Sequence, residues 1–293
     1  MTNSLEALFC DVDDFCQIFE PKWQQLLLGN GLQQRQRQKC LSMSEIMTIL
    51  IAFHQNHYRD FKHFYQDHVC KYWNQEFPRL PSYSRFIEFI GSAIVPLCIY
   101  LKQCFGECTG ISFIDSTCLH VCHNRRIKQH RVFKHMAARG KTSVDWFFGF
   151  KLHLVVNECG ELLNIQITPG NVDDRKPVLD LLKLLFGKVF GDRGYVSQTL
   201  AAQLFKDFGI QFFAKPRRNM KNRLIRLTDK LLSRKRSIIE TIIDQLKNIS
   251  QIEHSRHRSS INAMINVICG LIAYCHQPKK PSLHMEWALP PSA

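Results

Sequence analysis

Apolar positions in the first 108 residues recur at the spacing of amphipathic helices. The tetrapeptide Ser42-Met43-Ser44-Glu45 has the form of a capping box and opens an apolar-periodic stretch over residues 46–53. A second helical stretch is predicted from about Phe86 to Leu101, and Pro96 is expected to kink or divide it. The pattern therefore predicts an all-helical N-terminal domain over residues 1–108.

From about residue 110 the pattern changes to strands alternating with helices. Apolar runs and period-two alternation predict strands at 110–117, 147–156, 163–168, 187–192 and 210–214. Helices are predicted at 178–185, at 197–208 and around Glu240. Asp173 or Asp174 is the expected cap of the first of these helices. The elements predict an α/β fold over residues 109–278, a mixed five-stranded sheet flanked by helices, with a loose tail at 279–293.

Acidic residues stand at three informative points of this pattern. Asp115 and Asp192 each follow a short apolar run, near the end of a predicted strand, and both are followed at once by polar or turn residues. At about 100° per residue, setting Arg236 at 0° places Glu240 near 40° and Lys247 near 20°, on the edge opposite the apolar face. Glu240 is therefore the expected third acid, and Glu253 is the alternative. A solvated ion-pair edge also explains an Arg and a Glu four residues apart.

Three carboxylates brought to one end of a sheet predict a divalent-metal site. Hard oxygen ligands suit Mg²⁺, and paired ions can activate a nucleophile and stabilise a leaving alkoxide at a phosphodiester. The chain has 39 Lys and Arg against 25 Asp and Glu, a net charge of +14. Such an excess favours a polyanion as partner, although a basic protein without one is the alternative.

Positive charge concentrates in two segments, 125–141 and 215–236, which bracket the candidate catalytic elements. Backbone-directed cations would supply position and salt-sensitive affinity for DNA. Phe133, Trp146 and Phe147 could stack on an unpaired base, or they could be ordinary core aromatics. The predicted DNA-binding residues are Arg125, Arg126, Arg193, Lys215, Arg217, Arg218, Arg236, Lys247, Arg256 and Arg258.

Cysteine usage and apolar runs limit the remaining classes of protein. Residues 1–20 do not have the pattern of a signal peptide, and the longest apolar runs fall short of the roughly 18 residues that span a bilayer. We therefore expect a cytoplasmic protein that does not bind membranes. Most of the twelve cysteines are expected to be reduced core residues. Cys118, His120 and Cys122 alternate on a strand, which leaves a zinc site open as a minor hypothesis.

Several motifs give the chain a family resemblance. The strings FIDST (113–117) and GDRGY (191–195), the spacing Arg236-x3-Glu240-x6-Lys247, and the string EHSRHRSSINAMIN (253–266) resemble motifs of bacterial insertion-sequence transposases with a DDE catalytic triad. The resemblance covers about residues 108–278. Many relatives have a Tyr three positions before the Arg, where this chain has Ser233. A role for that Tyr is therefore not carried over.

The resemblance implies an RNase H-like fold and an enzyme that cuts at terminal inverted repeats and joins the freed 3′-hydroxyl to target DNA. It also implies two Mg²⁺ ions, for which Mn²⁺ can substitute, held by Asp115, Asp192 and Glu240, and a homodimer in the active complex. Two other functions stay open: a non-catalytic DNA-binding regulator of the same fold, and a nuclease without strand transfer.

Overall fold

A computed structural model of the protein describes residues 4–31, 40–142, 145–215, 226–253 and 257–283. The chain forms two compact units. One consists of residues 1–104 with 246–278, and the other of residues 105–245 with 279–293. Residues 246–278 group with the helical unit and not with the sheet.

The first unit is helical. Its elements before the sheet are α1 (Leu5–Gly29), α2 (Met43–Gln55), α3 (Phe61–His63), a π-helical segment (Phe64–Val69), α4 (Cys70–Tyr72), α5 (Tyr83–Ile90) and α6 (Ile94–Gln103). The second unit contains β1 (Ile111–Cys122), β2 (Ala138–Lys141), β3 (Trp146–Asn157), β4 (Leu162–Pro169), α7 (Val178–Leu182), β5 (Lys188–Gly191), α8 (Gln198–Phe208), β6 (Gln211–Ala214) and α9 (Leu227–Lys235). The chain then forms α10 (Ser237–Asn248), and α11 (Ser260–Cys275) completes the helical unit.

Local sequence signals explain where α2 begins and where the later helical stretch is divided. The predicted capping box is present at α2: Glu45 N–H donates to Ser42 Oγ at 3.1 Å, and Ser42 N–H donates to a Glu45 carboxylate oxygen at 2.6 Å. The helical stretch over 83–103 is divided, as expected, but by a 3₁₀ turn at Gly91–Ala93. By length and composition alone this stretch could cross a membrane, as can the core helices of soluble proteins.

The sheet of the second unit is mixed. Its strand order is β2-β3-β1-β5-β6, and β4 pairs with β3 beside β2. β3 is antiparallel to β1 and β4, whereas β1, β5 and β6 are parallel. This is the RNase H-like arrangement that the family resemblance implied. The sequence pattern missed β2, because Ala138–Lys141 has no alternation of apolar and polar residues.

Different sets of side chains cover the two faces of the sheet. Ile114, Val155 and Val189 lie on one face, in a core cluster with buried residues of α7 and α8. Phe113 and Phe190 belong to the other face, where their rings lie 5.8 Å apart. Because side chains alternate along a strand, Asp115 lies on the same face as Phe113. The α7 and α8 helices therefore cover the face opposite Asp115.

A partly buried ion pair fixes the helix that leads toward the third candidate acid. Lys188 Nζ at the start of β5 donates to Asp229 Oδ1 of α9 at 2.5 Å, and the Asp229 side chain is only 6% exposed. After α9, the apolar face of α10 is buried as the helical angle predicted, at Ile238, Ile239, Ile242 and Leu246. This arrangement sets the position of Arg236, which stands between the two helices.

Candidate active site

Asp115 lies within β1 and not near a strand end as predicted, because the polar residues after it continue to pair with β3. Its carboxylate is largely removed from solvent. Its Oδ1 accepts the N–H of Ser116 at 2.8 Å, and its Oδ2 accepts Nη1 of Arg236 at 2.8 Å. Burial raises the pKa of Asp115 to about 6, although the Arg236 charge acts in the opposite direction. A carboxylate in this environment takes up a proton more readily than an exposed one.

Arg236 joins all three predicted acids. Its Nη2 donates to Oε1 of Glu240 at 2.6 Å and forms an ion pair with Oδ1 of Asp192 at 3.6 Å. The Arg236 side chain is 14% exposed, whereas those of Asp192 and Glu240 are 45% and 57% exposed. Three carboxylates from β1, the turn after β5 and α10 therefore meet at one guanidinium. Asp115 is the least exposed of the three, with 18% of its side chain accessible, and the other two face solvent.

The chemistry of the donor set fits a hard divalent cation. The three side chains offer carboxylate oxygens, which are the preferred ligands of Mg²⁺. The positive charge that these oxygens contact is that of Arg236. Within the described ranges, no group of three or more His, Cys, Asp or Glu side chains is close enough to hold a metal ion as it stands.

A fourth carboxylate, that of Asp174, is bonded to the residue that follows Asp115. Asp174 Oδ1 accepts Ser116 Oγ at 2.9 Å and Lys151 Nζ at 3.0 Å. Lys151 also donates to the carbonyl of Val172 at 2.9 Å. These bonds fasten the loop after β4 to the residue that follows Asp115.

The predicted helix-cap role of Asp173 and Asp174 is wrong, because α7 begins only at Val178, after Pro177. Asp173 instead accepts hydrogen bonds from Arg175, which lower the pKa of its carboxyl group. The sequence did contain a signal that Asp174 lies near β1: it follows the end of the predicted strand 163–168. β4 and β1 are both antiparallel to β3, so their carboxyl ends point the same way.

The predicted alternative for the third acid has a different partner. Glu253 pairs with Lys247 through a contact of 3.2 Å. Lys247 therefore contacts Glu253, whereas Glu240 shares Arg236 with the two aspartates.

Several predicted DNA-binding residues are exposed cations. Arg125 and Arg126 lie in a 3₁₀ turn after β1, Arg193 follows Asp192, and Lys215 follows β6. Arg258 is exposed in the helical unit. Arg217, Arg218 and Arg256 lie outside the described residues.

Of the three aromatic residues considered for base stacking, only Trp146 is exposed, and the proposed zinc ligands form no cluster of three in the described residues. Phe133 and Phe147 are core residues, 4% and 2% exposed, whereas Trp146 is 45% exposed. Cys118 Sγ lies 3.9 Å from His120 Nε2. In the part of the chain that the structure describes, no third ligand completes a metal cluster there.

A comparison with protein families completes this picture. A family model described as a transposase DDE domain matches residues 105–260, which is more than half of the 293 residues. The chain belongs to the DDE transposase family. Members act on DNA, and their DDE domains generally use divalent metal ions. No curated protein and no solved structure matches the chain. The match contains β1, β5 and α10, the elements that carry the three acids at Arg236.

Proposed function

We propose that this transposase cuts DNA at insertion-sequence ends and joins the freed 3′-hydroxyl to target DNA. Asp115, Asp192 and Glu240 are the proposed ligands of two Mg²⁺ ions, and Mn²⁺ is expected to substitute. The observation that carries the proposal is the convergence of these acids on Arg236, with distances of 2.8, 3.6 and 2.6 Å. Bound there, paired ions would activate the attacking oxygen and stabilise the leaving one.

The protein groups have distinct tasks in this proposal. Asp115 must be ionised to bind a cation, and its burial makes that ionisation dependent on positive charge nearby. Arg236 supplies that charge and keeps the carboxylates together before a metal binds. With the carboxylates bound to cations, the Arg236 guanidinium would be free to donate to phosphate oxygens, for which its planar fork is well suited.

The proposed partners are terminal inverted repeats and target DNA. The exposed cations Arg125, Arg126, Arg193, Lys215 and Arg258 are expected to contact the phosphate backbone. Joining two ends needs two active sites, so we propose a homodimer in the active complex. A cytoplasmic location, without membrane binding, follows from the substrate.

The proposal is tested with the variants Asp115→Ala, Asp192→Ala and Glu240→Ala. Each should abolish Mg²⁺-dependent nicking of DNA that carries the element ends, while DNA binding is largely kept. Asp207→Ala is the matched control, since it removes an exposed acid on α8. Nicking retained by all three variants would reject the assignment.

The same assay separates the alternatives. Binding by the wild type without cut products in Mn²⁺ would favour a non-catalytic regulator. Cut products without joined products would favour a nuclease that lacks strand transfer.

A further inference from the structure

The register of the sheet places Trp146 on the same face as Asp115. Asp115 on β1 pairs with Leu154 on β3, and paired residues share a face. Trp146 lies eight residues before Leu154 on β3, an even number, so it points to the same side. At about 3.3 Å per residue, the two positions are separated by up to about 26 Å along the strand.

The chain between β1 and β2 is anchored to that face. The Phe133 ring packs on Phe150 at 5.5 Å, and the His130 ring packs on Phe148 at 6.1 Å. Phe148 and Phe150 are an even number of residues from Trp146 and Leu154 on β3, so all four side chains lie on the same face of the sheet. Residues 130–133 therefore lie over the Asp115 face, between the acid and Trp146.

This segment presents positive charge without acidic neighbours in sequence. Residues 124–141 contain seven Lys or Arg and no Asp or Glu. The cations of the segment that precedes β2 are all exposed: Arg125, Arg126, Lys128, Arg131 and Lys134.

The β2–β3 hairpin continues the charge to the edge of the sheet. Lys141 pairs with Trp146 across the strands, and Arg139 lies two residues away on the same face. The Arg139 guanidinium carbon lies 4.8 Å from the centroid of the exposed indole, and Lys141 Nζ lies 5.7 Å from it. Cation–π contacts of this kind hold long side chains in place. The two cations are thus braced by Trp146.

We propose that the exposed cations of residues 124–141, with Trp146, form a surface that binds the sugar–phosphate backbone of duplex DNA. The surface follows the Asp115 face from the site to the hairpin. At 3.4 Å per base pair, its length corresponds to contacts out to about eight base pairs from the cut. The positive charge of the surface complements the phosphates of duplex DNA. That the DNA is cut at the adjacent carboxylates rests on the proposed function.

The test measures binding of the full-length protein to a 30-base-pair duplex, without metal, between 50 and 200 mM KCl. The double variant Arg139→Gln/Lys141→Gln should lower the steepness of the log–log salt dependence by about 1.8, since each lost phosphate contact removes about 0.9. Trp146→Ala should weaken binding by about two- to fivefold at low salt, because the exposed brace is lost. Trp146→Phe should weaken binding less than Trp146→Ala, because it keeps an aromatic ring.

The matched control is Lys183→Gln/Lys206→Gln. It makes the same change in charge at exposed residues, one after α7 and one in α8, on the opposite side of the sheet. An unchanged slope in the Arg139/Lys141 variant, or an equal loss in the control, would overturn the proposal. A protein that binds with the expected slopes but never cuts would contradict only the proposed function.

Footprinting then locates the contacts. On an end fragment that the protein cuts, hydroxyl-radical protection lost in the Arg139/Lys141 variant should lie within about eight base pairs of the cut. Loss of protection confined to more distant phosphates would also contradict the surface described here.

Discussion

Arg236 sets the electrostatic balance of the candidate site at the scale of single residues. Its guanidinium contacts Asp115, Asp192 and Glu240, of which Asp115 is the least exposed. Sequence reasoning placed Arg236 beside Glu240 from the four-residue spacing alone. The bond to Asp115 spans 121 positions, so it follows from tertiary packing and not from periodicity.

Arg236→Gln should destabilise the metal-free protein in a pH-dependent way. Without the guanidinium, ionised Asp115 stays buried with like charges nearby, at a cost of about 1–3 kcal/mol. The pKa of Asp115 is already raised to about 6, so at pH 5 the group is largely protonated and the cost is small. Stability should therefore be lost as the pH rises through about 6.

Thermal unfolding in EDTA at pH 5 and pH 8 measures this difference. Arg175→Gln is the control, because it breaks an exposed Arg–Asp pair that contributes about 0–1 kcal/mol. Equal losses at both pH values, or no loss at pH 8, would contradict the role given to Arg236.

Metal binding should depend on the same ionisation. A proton on Asp115 competes with a cation for the carboxylate, and its pKa of about 6 sets the range. Below pH 6 the apparent Mn²⁺ affinity should fall by about tenfold per pH unit, and above it the affinity should level off. Titration of Mn²⁺ followed by electron paramagnetic resonance provides the measurement. An affinity that is constant from pH 5 to pH 8 would show that Asp115 does not titrate with the metal.

At the scale of elements, the loop after β4 supports the strand that carries Asp115. Asp174 receives hydrogen bonds from Ser116 on β1 and from Lys151 on β3. The loop is thus tied to two strands at the position next to the candidate ligand. Asp174 thus holds the strand at the residue after Asp115, and outer-shell groups that fix the position of a metal ligand commonly affect metal affinity and activity.

Asp174→Asn should lower the nicking rate by about ten- to a hundredfold and weaken Mn²⁺ binding, while Tm changes little. The amide keeps the size of the side chain but loses the charge that pairs with Lys151. Asp173→Asn is the neighbouring control, and it should leave both readouts near the wild type. A fall in Tm of Asp174→Asn without a change in Mn²⁺ affinity would indicate a purely structural role.

Sequence patterns predicted most elements but not all of their limits. The five expected strands are present because apolar runs and period-two alternation are strong local signals. β1 extends to Cys122, five residues beyond the predicted end, since its later residues pair with β3 in a polar stretch. β2 exists through its pairing with β3, a long-range interaction that residues 138–141 do not encode locally.

At the scale of the whole molecule, chain order and spatial grouping differ. The apolar helix α11 is mostly buried, as its composition suggests, yet it belongs to the unit of residues 1–104. His54 Nδ1 on α2 contacts the carbonyl of Ser250 at 2.5 Å, and a Cβ at Gly270 would lie only 2.5 Å from Ile252. Close packing of this kind joins segments that are far apart in the sequence. The local sequence pattern therefore does not show that residues 246–278 group with residues 1–104.

The net charge of +14 is likewise a property of the whole chain. It agrees with the DNA-acting family and adds non-specific affinity for polyanions, but it does not identify the cut. That assignment depends on the carboxylates at Arg236.

Crystals of the protein soaked in Mn²⁺, with anomalous scattering recorded, test the central claim most directly. Manganese peaks are expected at carboxylate oxygens of Asp115, Asp192 and Glu240, with the Arg236 guanidinium displaced from at least part of this set. Manganese bound elsewhere, with Arg236 still joined to all three acids, would contradict the claim.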